Sequence, residues 1–264
     1  MKIIHPDAQI GEGVEVGPFT TIGADVVIGA GTWIGANVSI MDGTRIGRNC
    51  RIFPGAIVGA TPQDLKFEGE NSLLEIGDGV TIREYCTLNR GTKAGMVTSI
   101  GDASLLMAYV HVAHDCIIGK HCIVANSVGL AGHIQVGDYA VLGGLTAVHQ
   151  FVKIGEHAMI GGGSLVRKDV PPYVKAAREP LCYVGINSIG LRRRGFSNIQ
   201  INHIQDIYRI LFVQGNNTTK AIEMIEATID PSEERDRILS FIRNADRGIM
   251  KGFRHINHVN GAAH

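Results

Sequence analysis

The 264-residue chain has no net charge: Lys+Arg and Asp+Glu both number 25. Neutrality removes any general argument for a nucleic-acid partner or an anionic membrane surface. The chain also lacks an even set of cysteines. The five, at 50, 86, 116, 122 and 182, contain no Cys-x-x-Cys pair, so neither a disulfide framework nor a zinc knuckle is indicated. No apolar run approaches the ~18 residues of a membrane-spanning helix. The N-terminal MKIIHPDAQIGEG has no long apolar core followed by a cleavage site. The expectation is a reduced cytoplasmic protein without stable membrane insertion. The neutrality is uneven, however. Residues 1–163 carry 10 basic and 15 acidic side chains and residues 164–264 carry 15 and 10, so the C-terminal part is +5 and the rest −5. A basic C-terminal part suits an acidic partner; a merely solvated surface is the alternative.

What is present is a repeat. Stepping by six from Ile4 meets Ile, Val or Leu at 25 of 28 positions up to Val166, the exceptions being Asp64, Glu70 and Ala94. The next residue is often Gly (Gly11, Gly17, Gly29, Gly47), expected to supply unusual backbone angles at a corner. The fourth residue after the aliphatic is nearly always small: Val14, Thr20, Val26, Thr32. Cys50, Cys86, Cys116 and Cys122 fall there and read as small interior residues. A period of six is neither helical nor a simple alternation. It is the hexapeptide signature of a parallel β-helix, whose coils bury their apolar face only by stacking. The register breaks at 60–75 and 92–99, which read as projecting loops, where binding residues tend to sit. After VPPYV (170–174) the hexads stop. Ser197-Asn-Ile-Gln200 is a capping box, followed by Ile201, Ile204, Tyr208 and Leu211 at helical spacing, with further helices near Thr218 and Ser232. The fold class is an all-β solenoid, a hexapeptide-repeat parallel β-helix over residues 1–180, with a small α-helical C-terminal domain over 181–264.

The segment VHVAHDCIIGKHCIVANSVGLAGH (110–133) concentrates titratable groups in this regular frame. With three hexads per triangular turn, residues 18 apart share a column, roughly 4.8 Å apart. His114, Gly132 and Gln150 form one column; Asp115, His133 and Phe151 form the next; Ala113, Ala131 and His149 precede them. His121 and His157 read as solvated solenoid side chains. His114 reads differently, because an imidazole beside the carboxylate of Asp115 is the usual general-base arrangement. A solenoid bore is filled with aliphatic side chains, so the site must lie on the outer face. A second copy of the chain must wall it in, which implies a homo-oligomer.

The motifs HVAHDC (111–116), LAGH (130–133), TAVHQF (146–151), PQDLKFEGE (62–70), IGGGS (160–164), DVPPYV (169–174) and GLRRRGFS (190–197) resemble the UDP-N-acetylglucosamine O-acyltransferases of lipid A synthesis. The resemblance spans nearly the whole chain. It implies a homotrimer of left-handed β-helices in the cytoplasm of a Gram-negative-type bacterium. It further implies transfer of an (R)-3-hydroxyacyl group from acyl carrier protein to the 3-hydroxyl of UDP-N-acetylglucosamine, with no cofactor and no metal. His114 would be the base, oriented by Asp115, and the Gly132 N–H would stabilise the oxyanion. Gln63, Asp64, Lys66, His111, His133, His149 and Gln150 would contact the sugar nucleotide or the acyl chain, and Asn187, Arg193 and Arg194 the uridine and phosphate end. Gly162 would act as the acyl-chain ruler. Where the family has N-I-E-G, this chain has Asn187-Ser-Ile-Gly190, which leaves a 3-amino UDP-sugar open as acceptor. A zinc hydratase of the γ-carbonic anhydrase type and a CoA-dependent acetyltransferase are the rivals on the same fold. The first needs two histidines five apart, which the solenoid lacks; the QDLK and RRRGFS motifs and the basic C-terminal part favour acyl carrier protein over the second.

Overall fold

The computed structural model describes residues 1–252. Short strands recur from Ile3–Ile4 to Leu165–Val166. Each pairs in parallel with the strand one turn away, normally 18 residues on: Ile3↔Thr21, His111↔Gly129, Gly129↔Ala147. The strands sort into three sheets of nine, eight and eleven, the three faces of a left-handed prism. The inward aliphatics are sealed, with Ile34, Ile52, Leu88, Leu130 and Ile160 fully buried. Cys50, Cys86, Cys116 and Cys122 lie beside them, also fully buried. Burial pushes the Cys116 thiol up to about 12, so it does not ionise near neutral pH.

The corners differ from expectation in one respect. Apart from Gly59 (φ 80°), the glycines following the inward aliphatic do not carry the unusual backbone angles; they permit close approach. A Cβ on Gly17 would lie 2.6 Å from the carbonyl carbon of Gly35, and one on Gly29 would lie 2.5 Å from that of Gly47. The left-handed backbone sits two residues further on. There Asn37, Asn49, Tyr85, Tyr109, Asp115, His121, His133, Tyr139, Phe151 and His157 all have φ between 54° and 66°. Each costs of order 1–2 kcal/mol, and side-chain ladders offset part of it: Tyr85 stacks on Tyr109 at 5.3 Å, and His121 on Tyr139 at 4.8 Å.

Both register breaks project from the corner between the nine- and eight-stranded sheets. They are narrower than the sequence suggested. Leu73–Ile76 and Val97–Ile100 are strands paired with each other, so only 61–72 and 90–96 leave the ladder. At the other end the sheet outlasts the hexads. Val174–Ala177 continues the eleven-stranded sheet, Cys182–Ile186 pairs antiparallel with it, and Lys251–Gly252 adds a further strand. Helices therefore begin at α1 (Ser188–Arg193), followed by α2 (Asn198–Tyr208), α3 (Thr218–Thr228) and α4 (Glu233–Arg243). The Ser197/Gln200 capping box is formed in both directions. Tyr208, fully buried, donates to the Pro172 carbonyl at 2.6 Å and ties α2 to the prism end. The last part of the expected C-terminal domain, 253–264, lies outside the described residues. Part of the positive charge of residues 164–252 is committed. Arg167, Arg209, Arg235, Arg237 and Arg243 each hold a carboxylate, whereas Arg192 and Arg193 are exposed. Among the described residues no helix is long and apolar enough to cross a membrane.

Because the Gly29 position faces backbone rather than a movable side chain, Gly29→Ala is expected to destabilise by roughly 1–3 kcal/mol or more, the cost of overpacking. Thermal or denaturant unfolding measures it. An unchanged midpoint would show that the coils part easily there.

Candidate active site

His114 and Asp115 occupy the corner between the nine- and eight-stranded sheets, and both are nearly buried, at 8% and 7% exposure. The left-handed backbone of Asp115 (φ 58°) is one that Asp tolerates better than most residues. Its Oδ2 accepts from His114 Nδ1 at 2.9 Å. An ionised carboxylate only accepts, so Nδ1 carries the proton and Nε2 keeps its lone pair. Asp115 is held in turn. The Thr92 N–H and hydroxyl donate to its two oxygens at 3.1 and 2.7 Å, and its own N–H donates to Thr98 Oγ1 at 2.7 Å. Burial pushes the Asp115 carboxyl up, but the hydrogen bonds from Thr92 and His114 outweigh it and keep the group below the usual range.

One coil on, Gly132 lies against the His114 ring. A Cβ there would come within 2.4 Å of Cε1 and 2.7 Å of Nε2. The Gly132 N–H has no acceptor among the described residues. That is the rule at this corner position. At the neighbouring corner the equivalent N–H groups of Arg48, Asp78 and Lys120 are capped by the carboxylates of Asp78, Asp102 and Asp138; Gly132 has no such cap. His133 stands edge-on to His114 with ring centroids 5.1 Å apart and stacks on Phe151 at 4.7 Å. Its Nε2 is 3.6 Å from Asp115 Oδ2. His114 Nδ1, Asp115 Oδ2 and His133 Nε2 together are a donor set that could hold a metal ion. Gln150 ends the column, and the Phe151 N–H donates to the Gly132 carbonyl.

His111 precedes this corner on the nine-stranded face, its Nδ1 2.7 Å from Thr87 Oγ1. Burial, then the nearby His114, lowers its pKa. Directly in register on that face come Gly129 and Ala147, which leave the outer surface low. His149 is exposed beside them, its Nδ1 3.1 Å from the Gln150 carbonyl. Gln63, Asp64 and Lys66 lie in the 61–72 loop, at the same corner as His114 but two coils earlier. There the Lys66 N–H donates to Asp64 Oδ1, and Phe67 packs under Arg90.

The remaining expected residues stand at other corners. Asn187 is buried, accepts from the Gly190 N–H as the cap of α1 and donates to the His157 carbonyl at 2.9 Å. Arg194 lies over the Tyr139 ring at 5.1 Å, and Arg193 is exposed. His157 corrects the sequence reading. It is not solvated but 8% exposed, stacked between Tyr139 and Tyr173 and met edge-on by Phe196. Gly162 sits at the third corner, where a Cβ would lie 3.1 Å from the Gly144 carbonyl oxygen. Six residues of strand and turn, a contour of roughly 20 Å, separate successive corners. A single chain therefore spreads these groups around the prism. A cleft of about 830 Å³ between the eight-stranded sheet and α4 contains none of them. It has charged rims but no oriented base, whereas the histidine face has the oriented base and no opposing wall. Thr87, Thr92, Thr98 and Gly129 were missed in the sequence; column counting could have found Gly129, 18 residues after His111, but not Thr87, which the 90–96 excursion puts 24 residues before it.

Comparison with known proteins gives a consistent assignment. The family description "Udp N-acetylglucosamine O-acyltransferase; Domain 2" matches residues 169–250, six bacterial transferase hexapeptide repeats match 98–132, and a GMPPB C-terminal domain matches 1–92. An acyl-[acyl-carrier-protein]–UDP-N-acetylglucosamine O-acyltransferase of Trichlorobacter lovleyi is 52% identical over 254 residues, 95% of this chain and 97% of that one. The protein of the same name from Halorhodospira halophila is 47% identical over 250 residues, covering 94% and 97%. A crystal structure of a UDP-N-acetylglucosamine acyltransferase from Bacteroides fragilis superposes with a TM-score of 0.93 at 51% identity, covering 95% and 98%.

Burial, then the charge of Arg194, pushes the His157 pKa down to about 4. The unfolded chain, near 6.5, binds the proton more readily. Stability is therefore complete above about pH 6.5 and falls as pH drops toward 4, by up to about 3 kcal/mol. His157→Phe keeps the stack without the titration. Its melting temperature should fall less between pH 7 and 4.5 than that of the parent; equal falls would assign the proton uptake elsewhere.

Proposed function

The chain belongs to the UDP-N-acetylglucosamine O-acyltransferases, and on that premise we propose that it transfers an (R)-3-hydroxyacyl group from acyl carrier protein to the 3-hydroxyl of UDP-N-acetylglucosamine, the first step of lipid A biosynthesis. The observation that carries the mechanism is the buried Asp115 fixing the His114 Nδ1–H at 2.9 Å. With that proton held, Nε2 takes the proton of the sugar hydroxyl as its oxygen attacks the thioester carbonyl. This general-base contribution is worth roughly 10²–10⁴-fold. The Gly132 N–H, free of any acceptor among the described residues, receives the developing oxyanion, commonly worth about 10²–10³-fold. Collapse expels the carrier thiolate, which recovers the proton from the His114 imidazolium. No acyl-enzyme is needed, and the nearest thiol, Cys116, is sealed and held protonated.

The site is completed by other copies of the chain. His114 with its loop residues Gln63, Asp64 and Lys66, the nucleotide-directed Asn187, Arg193 and Arg194, and the ruler Gly162 stand at three different corners. A three-fold assembly that sets the corner of one prism against the face of the next brings such sets together, and it supplies the missing wall. The partners are acyl carrier protein and UDP-N-acetylglucosamine, and the assembly is a cytoplasmic homotrimer without a metal or organic cofactor. His111, His133, His149 and Gln150 line the acceptor side. Gly129 and Ala147, without bulk, floor the path of the acyl chain, which runs on toward Gly162.

His114→Ala should lower kcat by roughly 10²–10⁴-fold with the trimer intact, and His121→Ala, exposed and with no carboxylate hydrogen-bonded to its ring among the described residues, should do little. Equal losses would remove His114 from the base role. Assaying both the 3-hydroxy and the 3-amino UDP-sugar in the same series identifies the acceptor; a preference for the amine would move it from oxygen to nitrogen.

With glycine at 162 the expected donor is long, on the order of 14 carbons, each buried methylene contributing about 0.8 kcal/mol. Gly162→Met should shift the profile to shorter donors. An unchanged profile would place the ruler elsewhere.

A further inference from the structure

We propose that His114, Asp115 and His133 also form a binding site for a divalent transition-metal ion of the zinc class, and that filling it switches the base off. His114 Nδ1, Asp115 Oδ2 and His133 Nε2 lie within 4.8 Å of one another. The two adjoining separations are 2.9 and 3.6 Å. Zinc bonds to imidazole nitrogen and carboxylate oxygen are about 2.0–2.2 Å, which sets neighbouring ligands of a tetrahedral ion roughly 3.3–3.6 Å apart. The two adjoining separations bracket the lower part of that range and reach its upper end. Two histidines and one carboxylate with a position left open are a donor type that zinc and its neighbours in the first transition row accept.

These groups are not a loose surface cluster. The Asp115 side chain is 2% exposed and pinned by both Thr92 bonds, so it is already oriented. The His133 side chain is 27% exposed and opens the set to solvent. The ion displaces only the His114 N–H from Asp115 Oδ2; the Thr92 bonds remain.

The consequence follows from the imidazole. With Asp115 accepting, the proton is on Nδ1 and the lone pair on Nε2. A metal on Nδ1 takes the lone pair at that nitrogen. The proton leaves Nδ1 and, through water, returns at Nε2. The ring stays neutral and nothing is oxidised or reduced, but Nε2 is now a donor and cannot accept the proton of a hydroxyl. Binding rests on the geometry alone; silencing rests on the general-base reading given above.

Zinc chloride titrated into the purified trimer by calorimetry should show one ion per chain, and cobalt(II) should give visible ligand-field bands at the same stoichiometry. His133→Gln, which keeps the His114–Asp115 pair, should weaken binding by about tenfold or more, and Asp115→Asn should do the same. His149→Gln, outside the donor set, should bind zinc as the parent does. Circular dichroism confirms that each variant is folded. Zinc should inhibit acyl transfer, and a chelator should restore it. No binding up to about 0.1 mM, or equal binding in the parent, His133→Gln and Asp115→Asn, would overturn the site as adventitious. One bound ion per chain with undiminished turnover would leave the site standing and remove Nε2 of His114 from the role of base.

Discussion

The ladder between coils constrains everything else. Residue n hydrogen-bonds through the backbone to the residue one turn on, at the spacing of any parallel pair, and three such ladders close the prism. That spacing dictates where glycine must stand, because neighbouring corner backbones approach too closely for a Cβ. It dictates the filling of the bore by one aliphatic per hexad. It also turns sequence separation into spatial contact. His114 and Gly132 meet because they are one turn apart, not because any loop brings them together.

The site borrows the scaffold's own irregularity. A left-handed residue at each corner is a cost spread over the whole solenoid, and several corners recover part of it through stacked aromatic or imidazole rings. At Asp115 the same backbone state carries a carboxylate that grips its chain neighbour instead. The grip is firm because the 90–96 excursion leaves the ladder at that corner and returns Thr92 to the carboxylate. One departure from the repeat thus serves to hold the carboxylate that holds the base.

The period of six made the sheets, the buried cysteines and the column of His114, Gly132 and Gln150 legible from sequence. The pairing of His114 with Asp115 was legible because the two are consecutive in the chain. Other features depend on contacts that no local pattern encodes. The burial of His157 is completed by Phe196, which belongs to a segment beyond the hexads. The strand Cys182–Ile186 forms because the last coil offers it an open edge, and its own sequence carries no hexad. The corner angles were assigned to the wrong residue, since glycine serves close approach as readily as a positive φ. The resemblance to a known family grouped the site residues by motif. It did not reveal that one chain holds Asn187, Arg194 and Gly162 at corners away from His114.

Along the second corner, Asp78, Asp102 and Asp138 each cover an amide that the coil geometry leaves pointing away from any carbonyl. Such amides recur once per corner by necessity, because the chain must turn there and cannot pair every donor. An edge of this kind is a row of dormant anion receptors, three of them here muted by a resident carboxylate. A receptor for a transient negative charge therefore did not have to be added to the fold. It was enough to place one uncapped amide beside an imidazole, and a glycine, which brings no side chain of its own to that spot, is the least intrusive residue with which to do so.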